Sequence, residues 1–201
     1  MDIRRIMEKQ KETIYFITGN NNKFNEIKNL FQKEDLNYEI RQSEIKTTEI
    51  QATSIKEVAL FKLNSVRGKL NGSYFIEDAG FFVDIPLNGF PGVYSNYVLN
   101  TIGNKGILDL IRDYDETKAH FKAVIALYFQ PLSETHIFEG VVEGTLAKTI
   151  RGRGGFGFDP IFLPADLPNR TFAELTVEEK NNVSHRSKAW RKLVEYLRET
   201  D

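Results

Sequence analysis

Glu77 and Asp78 stand side by side after a short apolar run, Tyr74-Phe75-Ile76, and the chain then turns through Gly80, Pro86, Gly89, Pro91 and Gly92. A strand that closes in acids and runs into a glycine-proline loop is where α/β proteins place reactive groups. Neighbouring carboxylates repel, so a lysine or a hard divalent cation is expected beside them. Cations recur at two other places. Lys23 follows Thr18-Gly19-Asn20-Asn21-Asn22 in the first turn of a predicted helix, and Lys180, His185 and Arg186 cluster about the start of another. A positive side chain at the positive end of a helix is unfavourable unless an anion or acceptor lies between them. Two helices that begin this way point to a ligand rich in acceptor oxygens. TGNNNK is not a Walker loop, because the GxxxxGK(S/T) spacing is missing.

A third feature is the loop RGRGGFGFDP, residues 151–160, with Phe156, Phe158 and Asp159 among its glycines. Glycines let a backbone approach a ligand closely. Flat aromatic faces either stack on a base or, in a packed Ω-loop, fill a core. His136 has no second histidine near it and reads as structural.

Elements must position these groups. Ile14–Thr18 predicts a buried strand, followed by a helix with Phe24, Ile27, Leu30 and Phe31 on one face and Asn21 or Asn22 as its cap. Tyr38–Gln42 predicts a short strand and Thr47–Gln51 a polar loop. Ser54 and Glu57 form a capping-box pattern opening a helix to about Arg67, with Ile55, Val58, Ala59, Leu63 and Val66 inward. Lys62 falls on that same face, either snorkelling to its edge or aimed into a cleft. Residues 94–112 predict a helix in two pieces broken at Gly103-Asn104, burying Val98, Leu99, Ile102, Ile107, Leu110 and Ile111. Phe121–Phe129 predicts a central strand and His136–Val142 its antiparallel partner. Ser184 caps a last helix to about Arg198. The alternation of strands and helices makes the fold class α/β with a mixed sheet.

Composition narrows the function. The 201 residues suffice for one large domain, and a net charge of −1 argues against nucleic acid or a membrane as partner. The absence of cysteine removes thiolate metal sites, disulfides and cysteine nucleophiles. No apolar run approaches the ~20 residues of a membrane span. Residues 1–12 carry no apolar signal core and are expected to be an extension without function, ahead of a single domain over 13–201 in a cytoplasmic protein. An RNA-binding strand of the RNP1 type fails on Gly154, Asp159 and Pro160.

Four segments in register resemble the inosine triphosphate pyrophosphatase family, and its archaeal and eukaryotic branch above all. They are Thr18-Gly-Asn20-x-x-Lys23; Glu77-Asp78-x-Gly80 with Asn88-Gly-x-Pro91-Gly92-x-Tyr94-Ser95; Gly155-Phe-Gly-Phe-Asp159-Pro160; and Glu179-Lys180-Asn-x-x-Ser184-His185-Arg186. The resemblance covers about residues 13–198. It implies an elongated mixed sheet flanked by helices, two lobes with a central cleft, and a homodimer. It also implies Mg2+-assisted attack of water on the α-phosphorus of ITP, dITP or XTP, releasing the monophosphate and pyrophosphate, with Mn2+ able to substitute. By motif match Asn20, Lys23 and Lys62 hold phosphates, and Glu49 and Asp78 bind the metal with Glu77 as a further candidate. Phe156, Phe158, Asp159, Lys180, His185 and Arg186 form the base pocket, with Thr18 and Ser184 completing the substrate motifs. The base is Asp78, Glu77 or a metal-bound hydroxide. Arginine only donates, so at the purine 6-position Arg186 favours a keto oxygen over an amino group, while Asp159 accepts N1–H. Three residues depart from the family pattern: Ala79 replaces serine or threonine, Asn96 replaces a basic residue, and Phe158 replaces Trp or Tyr.

Overall fold

A computed structural model describes residues 11–200, so most of the expected extension, residues 1–10, lies outside it. Glu12 already belongs to the first strand. In chain order the elements are β1 (Glu12–Ile17), α1 (Asn21–Phe31), β2 (Tyr38–Ser43), α2 (Ile55–Ser65), β3 (Ser73–Ile85) and β4 (Phe90–Gly92). There follow α3 (Ser95–Thr101), α4 (Gly103–Leu110), β5 (Lys118–Phe129), β6 (Glu134–Leu146), β7 (Phe162–Pro164), α5 (Val177–Val183) and α6 (His185–Glu199). Among the described residues the seven strands form one open mixed sheet, β2-β1-β3-β5-β6-β7, with β4 folded back on β3. No helix there is long and apolar enough to cross a membrane.

The sheet is parallel from β2 to β3 and antiparallel from β3 to β7. β1 runs parallel to β2 and β3, joined through α1 and α2; β3, β5, β6 and β7 pair antiparallel. Period-two alternation sends Phe75, Phe81 and Val83 of β3 to one face and Tyr74 and Ile76 to the other. On the first face two apolar cores lie end to end. One packs α1 and α6 on β1 and β3, centred on fully buried Trp190; the other gathers Phe81, Val98, Ile107, Phe121, Phe158 and Phe162 beneath α3 and α4. These cores define the two lobes. The opposite face is covered by α2 through Ile55, Ala59 and Leu63.

Several expectations change. β3 does not stop at the acids: it continues through Gly80 to Ile85 because Phe81-Phe82-Val83 are strong strand formers that pair fully with β5. The cap of α1 is Asn20, whose Oδ1 accepts from Asn22 N and Lys23 N. Ser54 caps α2 by accepting from Glu57 N. Ile102 and Leu110 are exposed. The helical face does not run on past Gly103, whose φ is +63°, and Ile102 instead leans over Gly106, where a Cβ would meet its side chain. The short helix α5, capped reciprocally by Thr176 and Glu179, is an addition to the expected elements.

Candidate active site

The topology leaves a gap in the sheet. β1 pairs with β3 only through Ser73–Phe75, and β4 only through Phe81–Val83, so Ile76–Gly80 have no strand beside them on that edge. Glu77 and Asp78 lie in this gap, beyond the carboxyl end of β1, where open α/β sheets place ligands. A cavity of about 680 Å³ occupies it. Every side chain singled out for substrate or metal borders this cavity except Ser184, which is buried as the cap of α6 and accepts from Ser187 N.

The adjacent carboxylates face opposite ways, which resolves their repulsion. Glu77, only 3% exposed, points toward α1 and α6. Lys23 Nζ lies 2.7 Å from its Oε2, and Arg186 Nε donates to its Oε1 at 3.1 Å. The chain of charges continues. Arg186 also pairs with Glu26; Lys180 Nζ bonds Glu26 Oε1 at 2.9 Å and Asp159 Oδ2 at 2.7 Å. Three cations and three carboxylates thus alternate along one buried line. Burial pushes the Glu77 and Glu26 carboxyls up, but Arg186 with Lys23, and Arg186 with Lys180, outweigh it and hold both below the ordinary range. At Asp159 burial outweighs Lys180, and the carboxyl is raised.

This line leaves particular atoms free. Among the described residues Arg186 Nη2 and Asp159 Oδ1 make no hydrogen bond. His185 stacks on Phe121 with centroids 4.8 Å apart, and its buried Nδ1 has no partner. Burial, then Arg186, Lys180 and Lys23, hold its pKa well below 6.5, so the imidazole is neutral. The two loop aromatics have separate surroundings. Phe158 is buried and stacked on Phe81 at 4.8 Å, presenting only part of itself to the cavity. Phe156 lies under Lys180 Nζ at 4.9 Å and the Arg186 guanidinium at 5.4 Å. Gly155 is required there: at φ +66° a Cβ would meet Asp159 Oδ2.

Asp78 projects to the α2 side, where Lys62 reaches it at 3.4 Å and also bonds Glu49 Oε1 at 2.6 Å. Lys62 therefore points into the cleft. Burial pulls its ammonium down, yet Asp78 and Glu49 outweigh that and raise it. Glu49 is exposed on the 47–51 loop, whereas Asp78 is largely covered and accepts from Ala79 N. Both carboxylates converge on one ammonium, with solvent and cavity on the remaining sides. That donor set, hard oxygens with room for water and phosphate, fits magnesium. Glu77 is not brought to it. Thr18, whose Oγ accepts from Asn20 N, and Asn20 shape the loop above Lys23; Asn96 is exposed on the wall of α3.

Two polar residues of the site were not singled out from sequence. Glu26 is three residues beyond Lys23 on α1 and so shares its face, a spacing that signals an acid for the Arg186 cluster. Gln42 bonds Thr18 O at 3.0 Å and Asn21 Oδ1 at 3.2 Å, bracing the turn; a lone glutamine in a short strand carries no such signal.

Comparison with known proteins identifies the family and matches the fold. The model of the Ham1 family matches residues 14–196. The dITP/XTP pyrophosphatase of Thermococcus kodakarensis is 46% identical over 92% of this chain and 96% of its own length, and that of Pyrococcus horikoshii is 42% identical over the same shares. The Staphylococcus aureus Ham1 protein superposes with a TM-score of 0.80 at 28% identity, covering 94% of this chain and all of that one.

Proposed function

This chain belongs to the Ham1 family, and on that premise we propose that it hydrolyses non-standard purine nucleoside triphosphates, ITP, dITP and XTP, to monophosphate and pyrophosphate. The observation that carries the reading is the division of the cleft by β3. One face offers Lys62 with Asp78 and Glu49; the other offers a buried line of charges that carries a free donor on Arg186 and a free acceptor on Asp159. The first suits a triphosphate and the second a 6-keto purine edge.

Glu49 and Asp78 would hold magnesium, which when bound lends positive charge to the phosphate oxygens. Lys23 and Lys62 stabilise the charge that builds on those oxygens as water attacks the α-phosphorus and the bond to pyrophosphate breaks. Glu77 is a poor base, because Lys23 and Arg186 hold its carboxylate ionised and engaged. Asp78 remains as the carboxylate able to take the water proton. Asn20 holds Lys23 in place by capping α1. At the far end Arg186 Nη2 donates to purine O6 and Asp159 Oδ1 accepts N1–H, with Phe156 and Phe158 lining the base pocket. Adenine presents the opposite pattern at both positions. Leaving such groups unpaired costs about 10²–10³-fold for one contact.

The protein acts in the cytoplasm as a homodimer. The exposed apolar side chains Ile85, Phe90, Tyr94 and Tyr97, all near β4 and α3, support a pairing surface. Light scattering should give twice the mass of one chain. The decisive assay is pyrophosphate release from a panel of nucleoside triphosphates with Mg2+ or Mn2+. ITP, dITP and XTP should far exceed ATP, and EDTA should abolish turnover. Orthophosphate as the product, or equal rates for ITP and ATP, would refute the proposal.

A further inference from the structure

Beyond the cleft, three side chains on the Asp78 face of the sheet take no part in the reaction above. His120 of β5 stands in register between Phe82 of β3 and Glu143 of β6. Asp84, two residues past Phe82, projects from the same face. The His120 ring lies flat on Phe82, centroids 4.6 Å apart and planes within 2°, and its Nδ1 is 2.8 Å from Asp84 Oδ2. One ligand atom from each of Asp84, His120 and Glu143 lies within 4.8 Å of the other two. The flanking lysines are drawn elsewhere, Lys122 to Glu139 at 2.7 Å and Lys118 to Glu116 at 3.4 Å. Among the described residues the Glu143 side chain has no ion pair or hydrogen bond. Two carboxylates and an imidazole therefore gather, with no lysine or arginine between them, on strands whose pairing fixes their spacing.

We propose that Asp84, His120 and Glu143 form a second metal site, for a divalent transition ion such as Zn2+ or Co2+. Imidazole with two carboxylates is a borderline donor set that favours these ions over Mg2+, which prefers oxygen alone. The ion takes the place of the proton between His120 Nδ1 and Asp84 Oδ2. With bonds of about 2.0–2.2 Å to each, their present separation needs little adjustment. Exposed Glu143 swings in as the third ligand, and water fills the open side. The stacking of His120 on Phe82 holds the ring in the ligating orientation. Bound metal ties β3, β5 and β6 together beside the β3–β4 turn and so raises the melting temperature.

The test uses the full chain, stripped with chelator and held in excess Mg2+, titrated with Co2+ alone by calorimetry and visible absorption. One Co2+ per chain is expected, with a rise in melting temperature. Affinity should fall at least about tenfold in both His120→Ala and Glu143→Gln. It should persist in Asp78→Asn, which separates this site from the cleft, and in His136→Ala, which removes another surface imidazole. Glu143→Gln alters only an exposed side chain, so its fold and its hydrolysis of ITP should be unchanged. Absence of saturable binding by the wild type overturns the proposal. So does binding that survives both ligand substitutions, or that is lost with Asp78 or His136.

Discussion

At the scale of single residues, Asp78 and Glu77 show how neighbours in sequence take different work. Asp78 faces the α2 side and, among the described residues, has only Lys62 and a backbone N–H as partners. Asp78→Asn should therefore melt within a few degrees of wild type while kcat for ITP falls at least about 100-fold; near wild-type turnover would remove Asp78 from both its metal and base roles. Lys62→Ala should likewise lower kcat with little change in melting, since its ammonium lies in the cleft rather than at a helix edge. A shift in melting with unaltered kinetics would return it to a packing role. Arg186 is structural, and in the proposed function it also reads the base. Its removal leaves Glu77 with Lys23 alone and Glu26 with Lys180 alone, and breaking buried pairs of this kind costs up to about 3–5 kcal/mol. Arg186→Lys keeps a charge but not the fork, so it is the cleaner probe. Its kcat/KM should fall much more for ITP than for ATP. Equal losses would mean that Arg186 holds structure or phosphate and does not read the base.

At the scale of elements, the site depends on where α6 sits. The helix lies directly on β6 at Gly140, where an added Cβ would be 2.1 Å from His185 O and 2.5 Å from Ala189 N. Backbone cannot yield as a flexible side chain does, so Gly140→Ala must lift the start of α6. His185 and Arg186, the first two residues of that helix, would move with it. This change far from the phosphates should raise KM for ITP and lower discrimination against ATP, while a structural dent elsewhere in the helix would lower stability alone. Normal kinetics in Gly140→Ala would show that α6 position does not set base recognition.

At the scale of the whole molecule, the alternating charges make the fold acid-sensitive. His185 is neutral when folded, so as pH falls through 6.5 the unfolded chain takes up a proton that the folded chain does not. Glu26 and Glu77 act in the same sense lower down: their stabilisation is complete above 4.5 and is lost as pH falls through their depressed folded values. Asp159 works the other way, since its raised carboxyl penalises the folded state until it is protonated. With His185, Glu26 and Glu77 on one side and Asp159 on the other, the urea midpoint should be level near pH 8, decline from about 6.5 and steepen below about 4.5. His185→Gln should flatten the upper part of that decline. A midpoint that rises on acidification would contradict the balance.

The sequence by itself determined the periodicities, and with them the fold class, most element positions and the list of reactive residues. Alternating or helical spacing of apolar side chains is a local property, which is why β1, α1, α2, β5, β6 and α6 were legible. Motif spacing likewise marked Lys23, Asp78, Asp159 and Arg186, because their chemistry is carried by type and order. Partnership is not local. That Glu77 turns to Lys23 and Arg186 while Asp78 turns to Lys62 depends on β3 continuing past the acids, and its pairing with β5 decides that. Glu26 joined the site only when α1 and α6 came together, 160 residues apart in the chain. The gap between β1 and β4 exists in no segment alone; it arises where two strands share one edge of a third and neither reaches its middle.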